Sequence, residues 1–260
     1  MNKYLLIFTL FLTGVVGAAS TDNEIFIEQS GDTLQLTIDQ VGYGNKFGGT
    51  IVSGAVATDM IITGSNITFN LDQIGNSNQL FGPLVLDTSN IDMVFTGDSN
   101  VFDWNVGYGG SADSLDLDLT VTGDSNEWDF DLAYNASSES LNYDLTLVGG
   151  TNVFNTDIDY DNSVWNWEIT GDGNNIWTIQ KEDSQSMTWE FEGSDADIDI
   201  TQMDADQLLT VTFEGDDADI DIIQKSGTCP TGVASCSGII NLDINSDDAV
   251  ITINQKDTSD

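Results

Sequence analysis

The chain has 260 residues, with 44 acidic against 5 basic side chains and no histidine, for a formal net charge of -39. Such a surface repels phosphate backbones and anionic membranes, whose binding needs many cations, so nucleic acid is excluded as a partner. Yet 40% of the residues are hydrophobic and regularly patterned, which is too much apolar surface for a disordered chain.

Residues 1–19 read as a secretory signal. Lys3 gives a short basic start, Tyr4 to Val16 is an apolar run, and Gly17-Ala18-Ala19-Ser20 supplies the small residues of a cleavage site. The run is too short to cross a bilayer and nothing after it would stop transfer. The expectation is a secreted protein, extracellular or at the cell surface, without a membrane span.

Residues 20–260 repeat one unit, strand, glycine turn, strand. Its anchors are Gly31, Gly64, Gly97, Gly123, Gly149, Gly171, Gly193, Gly215 and Ser246, spaced by 33, 33, 26, 26, 22, 22, 22 and 31 residues. The positions six, four and two before each anchor, and five and seven after it, are apolar except at Gln29, Thr58, Thr156 and Thr178. That is the period of two of a strand with one buried face, and helical periodicity fails over the same stretches. A constant unit with variable spacing predicts an all-β fold, a parallel β-solenoid of about nine strand-turn-strand rungs. Longer coils fill 20–148, lean 22-residue coils 149–224, a loop 225–238 and a last rung 239–256. Val41-Gly42-Tyr43-Gly44-Asn45 and Ile74-Gly75-Asn76-Ser77-Asn78 look like partial extra arches within the early coils. In an exported chain Cys229 and Cys236 would oxidise to a disulfide that pins the 225–238 loop.

Rare polar residues recur at fixed sites. Nine after the anchor stand Gln40, Gln73, Gln180, Gln202, Gln224 and Gln255; three after it stand Asn100, Asn126, Asn152 and Asn174. In a parallel stack with a rise of about 4.8 Å these amides would lie over one another and form ladders. The register Q-x-G-x-x-N-x5-Q resembles that of curlin repeats, the units of bacterial curli fibres. Gly171, Asn174 and Gln180 match its second half; Gln40, Gly42 and Asn45, and Gln73, Gly75 and Asn78, match its first. Most units depart from it, with an apolar residue such as Ile169, Phe191 or Phe213 in place of the first glutamine. The resemblance implies a curlin-like β-solenoid that assembles into an extracellular fibre.

The other constellation is acidic. Asp195, Asp197 and Asp199 recur 22 residues later as Asp217, Asp219 and Asp221, and Asp59, Asp92, Asp118 and Asp144 share one position on four consecutive rungs. Two unit charges about 5 Å apart repel by roughly 0.8 kcal/mol even in water. Facing carboxylates at the six former positions could supply oxygen ligands to calcium, the one cofactor the sequence suggests. The simpler reading is a solvated anionic wall that keeps the rod soluble. No carboxylate pair stands out as catalytic, and without histidine or arginine no enzyme is expected. Trp104, Trp128, Trp165, Trp167 and Trp189 fall on the apolar face, whereas Trp177 points outward.

The sequence thus favours a secreted structural protein, a functional-amyloid or matrix subunit that associates with itself end to end. The alternative is a monomeric adhesin or receptor- or carbohydrate-binding solenoid, phage-encoded or cellular, that meets cell-surface or matrix components.

Overall fold

The computed structural model describes residues 7–12, 24–25, 27–48, 60–106, 112–133, 138–204, 206–226 and 238–257. Cys229, Cys236 and Asp59, with the expected disulfide, lie outside these residues. The fold is all-β, a parallel β-solenoid with two sheets facing each other. The front sheet has 10 strands: Ile7–Leu12, Gln35–Val41, Thr68–Ile74, Asn90–Thr96, Leu115–Thr122, Leu141–Val148, Val164–Thr170, Ser186–Glu192, Leu208–Glu214 and Ile239–Asn245. The back sheet has 13, its main path running Glu24–Ile25, Lys46–Phe47, Gln79–Asp87, Val101–Val106, Glu127–Leu132, Val153–Asp161, Asn175–Lys181, Asp197–Met203, Asp219–Ser226 and Val250–Asp257. The chain alternates front and back, so each strand hydrogen-bonds to strands one coil away.

Alternation within each strand produces the core. Leu208–Glu214 alternates half-buried and buried side chains until its exposed last residue, and Val164–Thr170 alternates exposed with buried. The five inward tryptophans are fully buried and Trp177 is 41% exposed, as the period of two requires. Because rungs stack in register, aromatic residues meet aromatic residues. Trp167 and Trp189 are register partners with ring centroids 4.6 Å apart and planes 9° from parallel. Trp128 of the back sheet stacks on Phe102 at 3.8 Å and meets Phe95 of the front sheet edge-on at 5.1 Å. The indole N–H groups of all five buried tryptophans lack a hydrogen-bond partner. Burial of such large rings must offset that cost.

Front strands turn into back strands through one column of arches. Gly42 N donates to Ile74 O at 2.8 Å, Gly75 N to Thr96 O at 2.8 Å, Gly97 N to Thr122 O at 2.8 Å, and so on to Gly215 N and Asn245 O at 3.1 Å. Glycine is required there by close approach. At Gly149 φ is +139°, and a Cβ would lie 2.1 Å from the carbonyl oxygen of Gly123. Two residues on, the chain turns left-handed, at Ser99, Ser125, Thr151, Asp195 and Asp217 with φ between 54 and 60°.

This column corrects the single register expected from sequence. Gly31 and Gly64 do not belong to it. They stack on each other at the opposite corner, where back strands turn into front strands, with Gly31 N donating to Thr63 O at 2.9 Å. Gly42 and Gly75, read from sequence as partial extra arches, are the true members. Both corners have the pattern strand, glycine, strand, so a half-turn slip leaves the alternation of buried and exposed sites intact.

The apolar run of the expected export signal also contributes a strand. Ile7–Leu12 pairs in parallel with Gln35–Gln40, placing Leu12 opposite Gln40 at the edge of the front sheet.

Three substitutions test this packing. Gly149→Ala should lower unfolding free energy by about 2 kcal/mol or more, from strain and a backbone clash. Trp189→Ala should cost about 3–5 kcal/mol, while Trp177→Ala on the outer face should cost under about 1 kcal/mol. Urea denaturation followed by circular dichroism reads each directly.

Candidate functional site

The half-turn slip divides the expected glutamine ladder. Gln40 and Gln73 belong to the front sheet, where Gln73 Nε2 donates to Gln40 Oε1 at 2.5 Å. The next register partner of Gln73 is Phe95, which ends that ladder. Gln180, Gln202, Gln224 and Gln255 belong to the back sheet at the other end of the solenoid. There Gln202 Nε2 donates to Gln180 Oε1 at 3.5 Å, Gln224 Nε2 to Gln202 Oε1 at 3.1 Å, and Gln255 Nε2 to Gln224 Oε1 at 2.8 Å. In each step the later amide donates to the earlier carbonyl. The glutamines are therefore two ladders of one polarity, one near each end, with an aromatic core between them.

The asparagine ladder is continuous and longer than expected. Asn100, Asn126, Asn152 and Asn174 are joined by Asn45 and Asn78, all buried in the front-to-back arches. Asn100 N donates to Asn126 Oδ1 at 2.9 Å, and Asn100 Nδ2 donates to the carbonyl of Gly97 at 2.8 Å. Asn78, Asn126 and Asn174 likewise donate from Nδ2 to the carbonyls of their own arch glycines, Gly75, Gly123 and Gly171. The ladder stops where Ala196 and Ala218 take the position, buried and apolar.

The acidic residues have more than one task. Those one residue after the arch glycine accept backbone N–H groups from an adjacent rung: Asp98 Oδ1 from Asp124 N at 2.8 Å, Asp124 Oδ1 from Gly150 N at 2.7 Å, and Asp172 Oδ1 from Ser194 N at 2.7 Å. Sequence reasoning missed this capping role, although the recurrent Gly-Asp dipeptides Gly97-Asp98, Gly123-Asp124 and Gly171-Asp172 mark it.

Other acids form the outer walls. Asp92, Asp118 and Asp144 are successive register partners on the front sheet, as expected without Asp59. Asp144 Oδ1 accepts from Asn166 Nδ2 at 2.7 Å, which relieves one end of the row. Of the six residues considered for calcium, Asp197 and Asp219, and Asp199 and Asp221, are register partners on the back face. Asp195 and Asp217 sit instead in the left-handed position of the arches, with φ of 55 and 54°. Among the described residues no three histidine, cysteine or acidic side chains converge to hold a metal ion.

An acidic patch surrounds Lys181 on the back sheet. Its Nζ lies 2.8 Å from Asp157 Oδ1 and 3.3 Å from Asp159 Oδ1. Burial would lower the Lys181 pKa, but the hydrogen bond and charge of Asp157, with those of Asp159, leave it raised. Beside it, burial first and then the charges of Asp129, Asp157 and Asp103 push the Asp131 carboxyl up to about 6, against a smaller pull downward from Lys181. Asp103, Asp118, Asp129 and Asp199 are raised by burial and then by acidic neighbours.

A shallow groove of about 250 Å³ lies further along the back face, lined by Trp177, Asp199, Thr201, Asp221, Ile223 and Thr252, among others. Trp177, Asp199, Asp221 and Thr252 form one row of register partners along the rod.

Raised carboxyl pKa values fix a sign for the pH dependence. Between about pH 4, where a free aspartate ionises, and about 6, the folded chain holds a proton at Asp131 that the unfolded chain has lost. Stability is therefore greatest below this window and falls as pH rises through it. The melting temperature should be higher at pH 5 than at pH 7.5, and Asp131→Asn should raise the value at pH 7.5 and narrow the difference. Scanning calorimetry at constant ionic strength measures both.

No protein-family model, characterised protein or solved structure matches this chain.

Proposed function

We propose that this chain is a secreted structural protein, a curlin-like stack of about nine rungs that serves as an extracellular fibre or matrix subunit. Its action is geometric and needs no catalysis. A solenoid with open ends can lengthen by adding another rung, and the ends of one copy offer that rung to the next.

The observation that carries this reading is the exposed apolar side of the last described coil. Its strands, Ile239–Asn245 and Val250–Asp257, are the last of the front and back sheets. Ile251 and Ile253, at positions buried elsewhere in the stack, are 39% and 48% exposed. Their equivalents one rung earlier, Ile220 and Ile222, are fully buried. A further rung would cover them at about 25 cal/mol per Å² of apolar surface. The acidic walls oppose this at low ionic strength and prevent contact between side faces, which directs growth to the ends.

The chain recovered after export should form unbranched, thioflavin-positive filaments one solenoid wide, faster at 0.5 M salt than at 20 mM. Electron microscopy and light scattering read the outcome. A particle that stays monomeric in sedimentation at high protein and salt concentrations would count against the fibre.

A second reading, a monomeric carbohydrate- or receptor-binding solenoid, draws on the Trp177 groove. The exposed indole could stack on a sugar ring while Asp199, Asp221 and Thr252 accept hydrogen bonds from its hydroxyls. Glycan-array binding that disappears in Trp177→Ala, with an unchanged melting temperature, would favour it.

A further inference from the structure

The geometry points to a specific joint, resting on the fibre reading above: the Val250–Asp257 strand of one copy pairs in parallel with Gln35–Val41 of a second copy turned by half a turn. The back sheet of the first copy then runs into the front sheet of the second, and the two glutamine ladders become one.

The two ends are built alike. The turns at Ser246 and at Gly31 each join two alternating strands at the same spacing, although one leads from front to back and the other from back to front, and only the Gly31 turn has positive φ, at Gly31 and Thr33. Strands after the two arches match position by position: Ile251-Thr252-Ile253-Asn254-Gln255 against Leu36-Thr37-Ile38-Asp39-Gln40. Strands before them match at Ile240 and Leu242 against Ile25 and Ile27. Front and back strands run in opposite directions, so half a turn about the rod axis brings a front strand parallel to a back one. Parallel pairing survives the rotation, and every rung-to-rung bond in this solenoid is of that kind.

In this register the exposed Ile251 and Ile253 meet Leu36 and Ile38, and Gln255 meets Gln40. Each ladder step already runs from the later Nε2 to the earlier Oε1. Gln40, as the later rung, takes the donor's place toward Gln255 Oε1, and polarity is kept across the joint. Gln180, Gln202, Gln224, Gln255, Gln40 and Gln73 form one run of six amides. A joint without the half turn places Gln255 beside Gln29, whose register partner is Ile62, and leaves the front strand Gln35–Val41 two coils beyond Ile239–Asn245 with no strand between them. That arrangement ends one ladder after a single further amide and breaks the front sheet. Hydrogen-bonded amide chains strengthen one another, which favours the longer run.

The receiving edge already accepts a parallel strand. In the full chain Ile7–Leu12 lies along Gln35–Gln40 and sets Leu12, not an amide, opposite Gln40. Removing the segment read as an export signal opens this edge, so the joint belongs to the processed chain.

The test mixes two processed variants in which Cys229 and Cys236 are replaced by serine and one new cysteine is introduced, Asn254→Cys with either Asp39→Cys or Glu28→Cys, and applies a short thiol crosslinker during assembly. The half-turn joint yields the 254–39 product, identified by peptide mass spectrometry, at a yield at least ten times that of 254–28. Filaments that give 254–28 instead, or neither product, overturn this joint while the fibre stands. Absence of filaments in the unsubstituted chain overturns the fibre reading and the joint with it.

Discussion

Parallel in-register stacking is the constraint on which everything else depends. Each strand bonds only to the strands one coil away, so each side chain has its own position repeated as its nearest neighbours. Like therefore meets like. Aromatic rings gain from this, as in Trp167 on Trp189, and so do amides, which carry a donor and an acceptor and can bond to copies of themselves. Carboxylates lose, because ionised copies have only acceptors and equal charge. One rule thus stabilises the interior of the rod and strains its surface.

The chain answers that strain locally. At the arches, Asp98, Asp124 and Asp172 face backbone N–H groups of adjacent rungs. On the front face Asn142 and Asn166 alternate with Asp116 and Asp144, donating at 2.8 and 2.7 Å. On the back face a single lysine, Lys181, serves two aspartates. At Asp131 burial, and then the charges of Asp129, Asp157 and Asp103, outweigh the pull of Lys181, and the carboxyl keeps its proton to higher pH.

Much of this was legible in the sequence. Period-two alternation located the strands, the five buried tryptophans and the outward Trp177. Recurrence at a fixed position within a unit of variable length gave the parallel stack and the asparagine ladder. The phase of the first coils was not legible. Gly31 and Gly42 both sit between two alternating strands, and only the long-range pairing of Gly42 with Ile74 separates the corners. Choosing Gly31 merged two glutamine ladders that the fold keeps on opposite sheets. The capping aspartates were hidden for another reason: next to a turn glycine, an acid looks like any solvated loop residue until the backbone N–H of the neighbouring coil is in place.

The parallel ladder also makes the rod mechanically anisotropic. Backbone hydrogen bonds lie along the axis and covalent strands across it, so the two directions resist force by different means. A load across the rod is carried by peptide bonds and by shear of whole strands. A load along the axis falls on the rung-to-rung bonds of the end coil first. The lean coils would then peel away in steps of 22 residues, each loss leaving a new end with the same open edges as the last. Such a rod yields by shortening while the remaining coils stay intact.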